Sequence, residues 1–271
     1  MNQVEFNSTD YITLKQFQGG WIWIKNINAI SNQILQTLQR LSTEEVRSIT
    51  DLLNGDVLPW PIFDDTRWVI RFVPLPDFII LIVFNYNVEF GSALRIFYHK
   101  SSLIVPTEDA YVFTEIFLRL LESFAKDGIA KTTSTQFQDD LISLHDLLKQ
   151  VDPINKEKIW NNLIGQREAP LLKIDKTTAK QISKNLKIEF FTGTWQNKKL
   201  EWGLKFIILK NLSLYAILTN SKTEFQIIFT KNILNYKSHR ILFFTWLYCN
   251  AIIREARLIL GDILPKLSDY L

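Results

Sequence analysis

Arg71, Glu89, Arg95 and His99 are the side chains whose types and spacing come nearest to a chemistry. If Arg71 and Arg95 project from flanking strands onto one face, their guanidinium groups can grip an anion bidentately. Glu89 and His99 would then orient that ligand or move its protons. These four form the candidate ligand-binding set. Each also has a plainer use: Glu89 pairs with an arginine or fixes its own turn, and His99 caps a helix. Asp64-Asp65 with Glu108-Asp109 would offer oxygen ligands to a divalent cation, but a turn and a helix N-terminus account for both pairs. His99, His145 and His239 are widely separated and lack metal-ligand spacing such as HExxH. No nucleophile elbow, P-loop, dinucleotide fingerprint or Cys–His pattern occurs, so the sequence assigns no catalytic residue, metal or cofactor.

The elements that must position these residues belong to an ordinary globular chain. Of 271 residues, 47% are hydrophobic and 22% charged, enough to bury a sizeable core. The net charge of +3 comes from 31 basic and 28 acidic side chains scattered among one another. The local surplus at Lys173, Lys176, Lys180, Lys184 and Lys187 reads as a solvated helix face, so no nucleic-acid partner is expected. Cys249 is the one cysteine. It excludes an intrachain disulfide, an iron–sulfur cluster and a thiolate zinc site, and is expected to be a small buried residue in a helix. Two apolar stretches, Ile241–Ile253 and the proline-interrupted Val73–Phe84, fall short of the roughly 20 residues of a transmembrane segment. The first ten residues carry no signal-peptide pattern, and a cytoplasmic location is expected.

Periodicity places the elements. WIWIK, after a Gly-Gly pair, alternates like a short strand, and residues 29–53 read as helix restarted by Ser42-Thr43-Glu44-Glu45. Three strands follow the proline-rich segment 58–65. In 66–73, Trp68, Ile70 and Phe72 take one face and Arg67, Val69 and Arg71 the other. Residues 78–86 are apolar on both faces, and 92–98 close the set. Short connections favour an antiparallel meander. Thr107 then caps a helix with an apolar face through Phe124. Residues 127–135 form a candidate boundary, and 136–150 and 154–164 read as connecting helices. Helix recurs at 176–186, strands at 200–208, 212–219 and 223–230, and a long apolar helix from Ser238 to Leu260. Its breadth of apolar residues implies burial, between the halves or in an interface with another chain, a protein partner or a second copy.

The order helix, three strands, helix thus occurs twice. Trp68-x-x-Arg71-Phe72 parallels Trp202-x-x-Lys205-Phe206. Trp60 precedes Glu89-Phe90 by the same interval as Trp195 precedes Glu224-Phe225. The expected fold is α+β: two tandem helix–three-stranded antiparallel meander–helix units packed as a pseudo-twofold pair and joined by helices. The units span 1–130 and 171–271, with a helical connector over 131–170.

From Pro74 to Leu121 the chain resembles the prokaryotic domain-of-unknown-function family 3786. The resemblance rests on Pro74-Leu75-Pro76, Glu89-Phe90, Ile96-Phe97 and Pro106-Thr107-Glu108-Asp109, about 50 residues in all. The family's acidic turn is reduced here to Asn87-Val88-Glu89, and its following proline is Gly91. Some of its members are similar to proteins carrying an iron–sulfur module, for which this chain has no cysteines. With no chemistry specified, the expectation is a non-catalytic protein-binding or scaffold module rich in aromatic residues. The alternative is an enzyme or anionic-ligand-binding protein with its site around Arg71, Glu89, Arg95 and His99.

Overall fold

The computed structural model describes residues 7–59, 61–127, 140–220, 224–236 and 239–264. The chain divides into two units, Met1–Thr133 and Ser134–Leu271. Each is a mixed α/β unit with an antiparallel sheet.

The first unit begins with strand β1 (Tyr11–Ile12) and a 3-10 turn at Leu14–Gln16, followed by helices α1 (Trp21–Leu38) and α2 (Thr43–Leu52). Strand β2 (Asp56–Leu58) precedes the meander β3 (Thr66–Leu75), β4 (Phe78–Asn87) and β5 (Gly91–His99). A 3-10 turn at Lys100–Ile104 leads into helix α3 (Thr107–Asp127). The sheet order is β1-β5-β4-β3-β2.

Trp21–Lys25 is the first turn of α1 rather than a strand. The alternation there lasts five residues, whereas Ile27, Ile30, Ile34 and Leu38 recur at helical spacing and are buried. Gly20 is needed where the preceding turn folds back, because a Cβ there would lie 1.7 Å from the Leu14 carbonyl oxygen. Ser42 caps α2 as expected: its Oγ accepts from the Glu45 amide (3.2 Å), and the Glu45 carboxylate accepts from the Ser42 amide (2.8 Å). Thr107 does not cap α3 but is its first residue, and its hydroxyl donates to the Gln18 carbonyl (2.6 Å).

The strands bury Trp68, Ile70, Phe72, Ile80, Ile82 and Tyr98 on one side of the sheet. There Phe72 stacks on Phe117 and Phe78 packs on Phe113, both from α3. The opposite face has a smaller cluster of Val69, Leu81 and Val83, covered in part by Ile62 and Phe63 from the loop before β3.

The second unit opens with strand β6 (Leu141–Ser143) and helices α4 (Leu144–Val151) and α5 (Lys156–Trp160). A π-helical turn (Asn161–Gly165) leads into α6 (Gln166–Leu172), and α7 (Lys176–Asn185) follows. Strands β7 (Glu189–Phe191), β8 (Thr194–Trp195), β9 (Lys198–Leu209), β10 (Leu212–Thr219) and β11 (Phe225–Thr230) precede two 3-10 turns and helix α8 (Phe243–Leu260). The sheet order is β6-β11-β10-β9-β7, with β8 also on β9. The helices between 144 and 172, expected as a connector, lie within this second unit. Lys176, Lys180 and Lys184 form an exposed face of α7.

Both sheets follow one pairing scheme. A short first strand pairs with the last, and a short strand after the α2 or α7 helix pairs with the first strand of the meander. Arg71 is registered opposite Asp56, and Lys205 opposite Glu189. Both make ion pairs, at 2.8 Å and 3.4 Å. Trp68 and Trp202 occupy matching buried positions. The expected match of Glu89 to Glu224 does not hold. Glu89 lies in the β4–β5 turn, whereas Glu224 immediately precedes β11, level with Ala93 when Tyr98 and Phe229 are matched. The interval between Arg71 and Glu89 resembles that between Lys205 and Glu224 only because one half has the longer strand and the other the longer turn. Trp60, Ser238 and the segment 128–139 lie outside the described residues, as does the His239 side chain.

Helix α8 is buried in its own unit through Phe244, Leu247, Tyr248, Cys249 and Ile252, with Tyr248 against Phe206. Leu258 and Ile259 are exposed despite their apolar character. No described helix is long and apolar enough to cross a membrane.

Candidate functional site

The four candidate ligand residues occupy one sheet but do not meet. Arg71 and Arg95 do point to the same face, since they pair through Leu81 and Val83 on β4. They stand two strands and two residues apart, which places their Cα atoms roughly 12 Å from each other. Arg71 donates from Nε and Nη2 to Asp56 (3.2 and 2.8 Å). Arg95 lies over the Phe63 ring at 4.6 Å. Glu89 is exposed in the β4–β5 turn, where Asn87 Oδ1 accepts from the amides of Glu89 (2.8 Å) and Phe90 (3.1 Å). His99 is at the opposite end of β5, about 27 Å away along the strand. Its Nδ1 accepts from the Ser101 amide (3.2 Å), which caps the following 3-10 turn.

The carboxylate pairs also serve local structure. Asp65 accepts from the Asn85 side chain and, through its carbonyl, from the Tyr86 amide. Glu108 and Asp109 sit in the first turn of α3, where the helix N-terminus favours negative charge. Among the described residues, no group of three or more His, Cys, Asp or Glu side chains is placed to hold a metal ion. Cys249 is fully buried, and burial pushes its thiol up to about 12. It is therefore protonated and unreactive in the folded unit.

The concave surfaces lie elsewhere, and two of them occupy matching places. In the first unit β1 covers only Tyr98 and His99 of β5. Gly91–Phe97 therefore have β4 on one side and, among the described residues, no strand on the other. At Thr13 the chain leaves this edge and enters its 3-10 turn, with the Thr13 amide donating to Gln16 Oε1 (2.6 Å). A cleft of about 290 Å³ remains between that turn, α1 and the open edge. Its walls include Lys15, Ile24, Ile27, Leu94, Arg95 and Ile96.

In the second unit β6 covers Ile228–Thr230, and no described strand lies beside Phe225–Ile227 on that side. Ser143 ends the strand and caps α4, its Oγ accepting from the Asp146 amide (3.1 Å). Here a cleft of about 390 Å³ includes His145, Asp146, Trp160, Glu224, Phe225 and Gln226. Strand pairing puts Thr13 with Ser143, and Leu94 and Arg95 with Phe225 and Gln226. The linings differ in chemistry. Gln226 accepts from Trp195 Nε1 (3.0 Å) and donates to Glu224. Lys198 and then Gln226, bonded to the Glu224 carboxylate, hold its pKa below the usual carboxylate value.

Of the four residues singled out by type and spacing, only Arg95 lines one of these clefts. The signal that marks both is a pair of similar segments, Tyr11-Ile12-Thr13-Leu14 and Leu141-Ile142-Ser143-Leu144. Each has a hydroxyl residue three positions before a side chain that can complete a cap. No family model, curated protein or solved structure matches this chain.

Proposed function

We propose that the protein is an intracellular, non-catalytic scaffold that binds a protein partner through the clefts repeated in its two units. The observation that carries this reading is their common location. Each lies between the first helix of its unit and the part of the last meander strand's edge that no described strand covers. An open strand edge is a template for another chain. The dispersal of Arg71, Glu89, Arg95 and His99 favours binding over chemistry, which would need them within hydrogen-bond reach of one substrate.

The shared pairing scheme and the repeated Trp-x-x-basic-Phe segments support an internal duplication. The two units are proposed to pack as a pseudo-twofold pair, each covering apolar surface of the other. The resemblance across residues 74–121 is to a family without a settled activity and adds none here. Burial of a single free cysteine is in keeping with an intracellular location.

Site-specific photo-crosslinking tests the scaffold reading. A photoreactive residue would replace Asn28 in the first cleft, Gln196 in the second and, as a control, the exposed Leu258 on α8. Cross-linking in the native cell should capture a defined protein from the cleft positions and not from Leu258. Purification of the chain with a stoichiometric bound metabolite and no cross-linked protein would overturn this reading.

A further inference from the structure

The first cleft has features that specify an occupant. Its length along the open edge, Leu94–Phe97, is about 13 Å at roughly 3.3 Å per residue. One wall is a strand edge with no described strand beside it, and the other is the apolar side of α1 at Ile24 and Ile27. The chain itself shows that a strand fits here, because β1 pairs antiparallel with the same edge at Tyr98 and His99 before turning away. Alternation along β5 sends Leu94 and Ile96 to the α1 side, while Arg95 goes to the other side with Val83. Two positive charges flank the open edge, Lys15 from the turn and Arg95 from the side of the sheet away from α1, and neither has an acidic partner among the described residues.

We propose that β5 takes up an extended protein segment as an added antiparallel strand, in line with β1, with an acidic side chain opposite Arg95 and apolar side chains at the two flanking positions. This deepens the scaffold reading and rests on it. A strand laid along Leu94–Phe97 directs alternate side chains toward α1 and toward Arg95, so the recognised pattern is apolar–acidic–apolar. A basic residue on an edge commonly guards against self-pairing. Here it works against a second copy, because a twofold pairing centred on this stretch would set Arg95 against its own counterpart. The apolar wall beside it leaves room for a different chain. The second cleft is an internal contrast, since its residue equivalent to Arg95 is Gln226, already bonded to Trp195 and Glu224.

The probe is a fluorescein-labelled octapeptide with Val-Glu-Val at its centre and serine, threonine and glycine at its ends. The full chain is titrated at low salt, and binding is read by fluorescence anisotropy. Saturable binding is expected, weakened about tenfold by Arg95→Glu and by lysine in place of the peptide's glutamate. Lys176→Glu, on the exposed face of α7 and in neither cleft, should leave it unchanged, and Arg95→Glu should regain affinity for the lysine peptide. Lys15→Glu, on a separate exposed turn, provides a second charge reversal, and circular dichroism checks the fold of each variant. Hydrogen exchange at Leu94–Phe97 should slow on binding.

No saturation at roughly millimolar peptide, or binding indifferent to Arg95→Glu and Lys15→Glu, would overturn strand addition. If photo-crosslinking still captures a protein at the clefts, strand addition alone has failed; if both experiments are negative, the scaffold reading fails as well.

Discussion

Trp202 and Trp68 hold matching positions in the two sheets but have different obligations. The Trp202 indole donates to the Ile174 carbonyl (2.8 Å) in a fully buried site, whereas Trp68 stacks on Phe84. Trp202→Phe should destabilise the chain by about 1–3 kcal/mol through the orphaned carbonyl, plus the loss of packing. Trp68→Phe should cost less, and urea denaturation compares the two. Glu122 supplies a pH test. Burial pushes its carboxyl up, but hydrogen bonds and charge from Lys126 and Arg119 outweigh that and leave its pKa below the usual 4.5. Its folded pKa is lower than its unfolded one. Its contribution is therefore present above the unfolded value and lost as pH falls through the folded one. Glu122→Gln should flatten stability against pH in that acidic window, as followed by thermal melts from neutral pH downward. At this scale the sequence was legible where a residue's surroundings were local. Ser42 with Glu45 could be recognised, as could the burial of Cys249. It was opaque where a partner came from far along the chain, as with Asp56 for Arg71, 15 positions away.

Helix ends carry the clearest expectations among the elements. α2 and α7 end alike, with Asn54 and Lys187 in the left-handed region (φ 58° and 54°) and the next amide bonded back to Thr50 or Ser183 (2.9 Å). Lysine is strained there and glycine is not. Lys187→Gly should stabilise by roughly 1 kcal/mol, measurable as a rise in denaturation midpoint. Ser143→Ala removes the α4 cap and should cost about 1 kcal/mol. The long strands of both meanders were readable from alternation and from turn residues such as Pro76-Asp77. The short strands β1, β2, β6 and β7 were not, because two or three residues carry no period and their pairing is decided by tertiary contact. WIWIK misled for the same reason: five residues fit a strand and a helix equally well.

At the scale of the whole molecule, the repeated order of elements was legible before any match between residues. The matched glutamates misaligned, while the matched tryptophans and their basic neighbours fell into register. The open edges were invisible to sequence because they are defined by where a neighbouring strand stops. If the two units shield one another, a protease site introduced in 128–139 and cleaved should leave two fragments that still co-elute by gel filtration. Separate elution would end the pseudo-twofold proposal. The lone thiol inside α8 also makes the chain its own stopwatch. With Cys249 sealed off and fully protonated, a maleimide added at neutral pH can react only when the second unit opens. The mass gained over time would clock that opening without any engineered label, and would stay blind to breathing of the first unit.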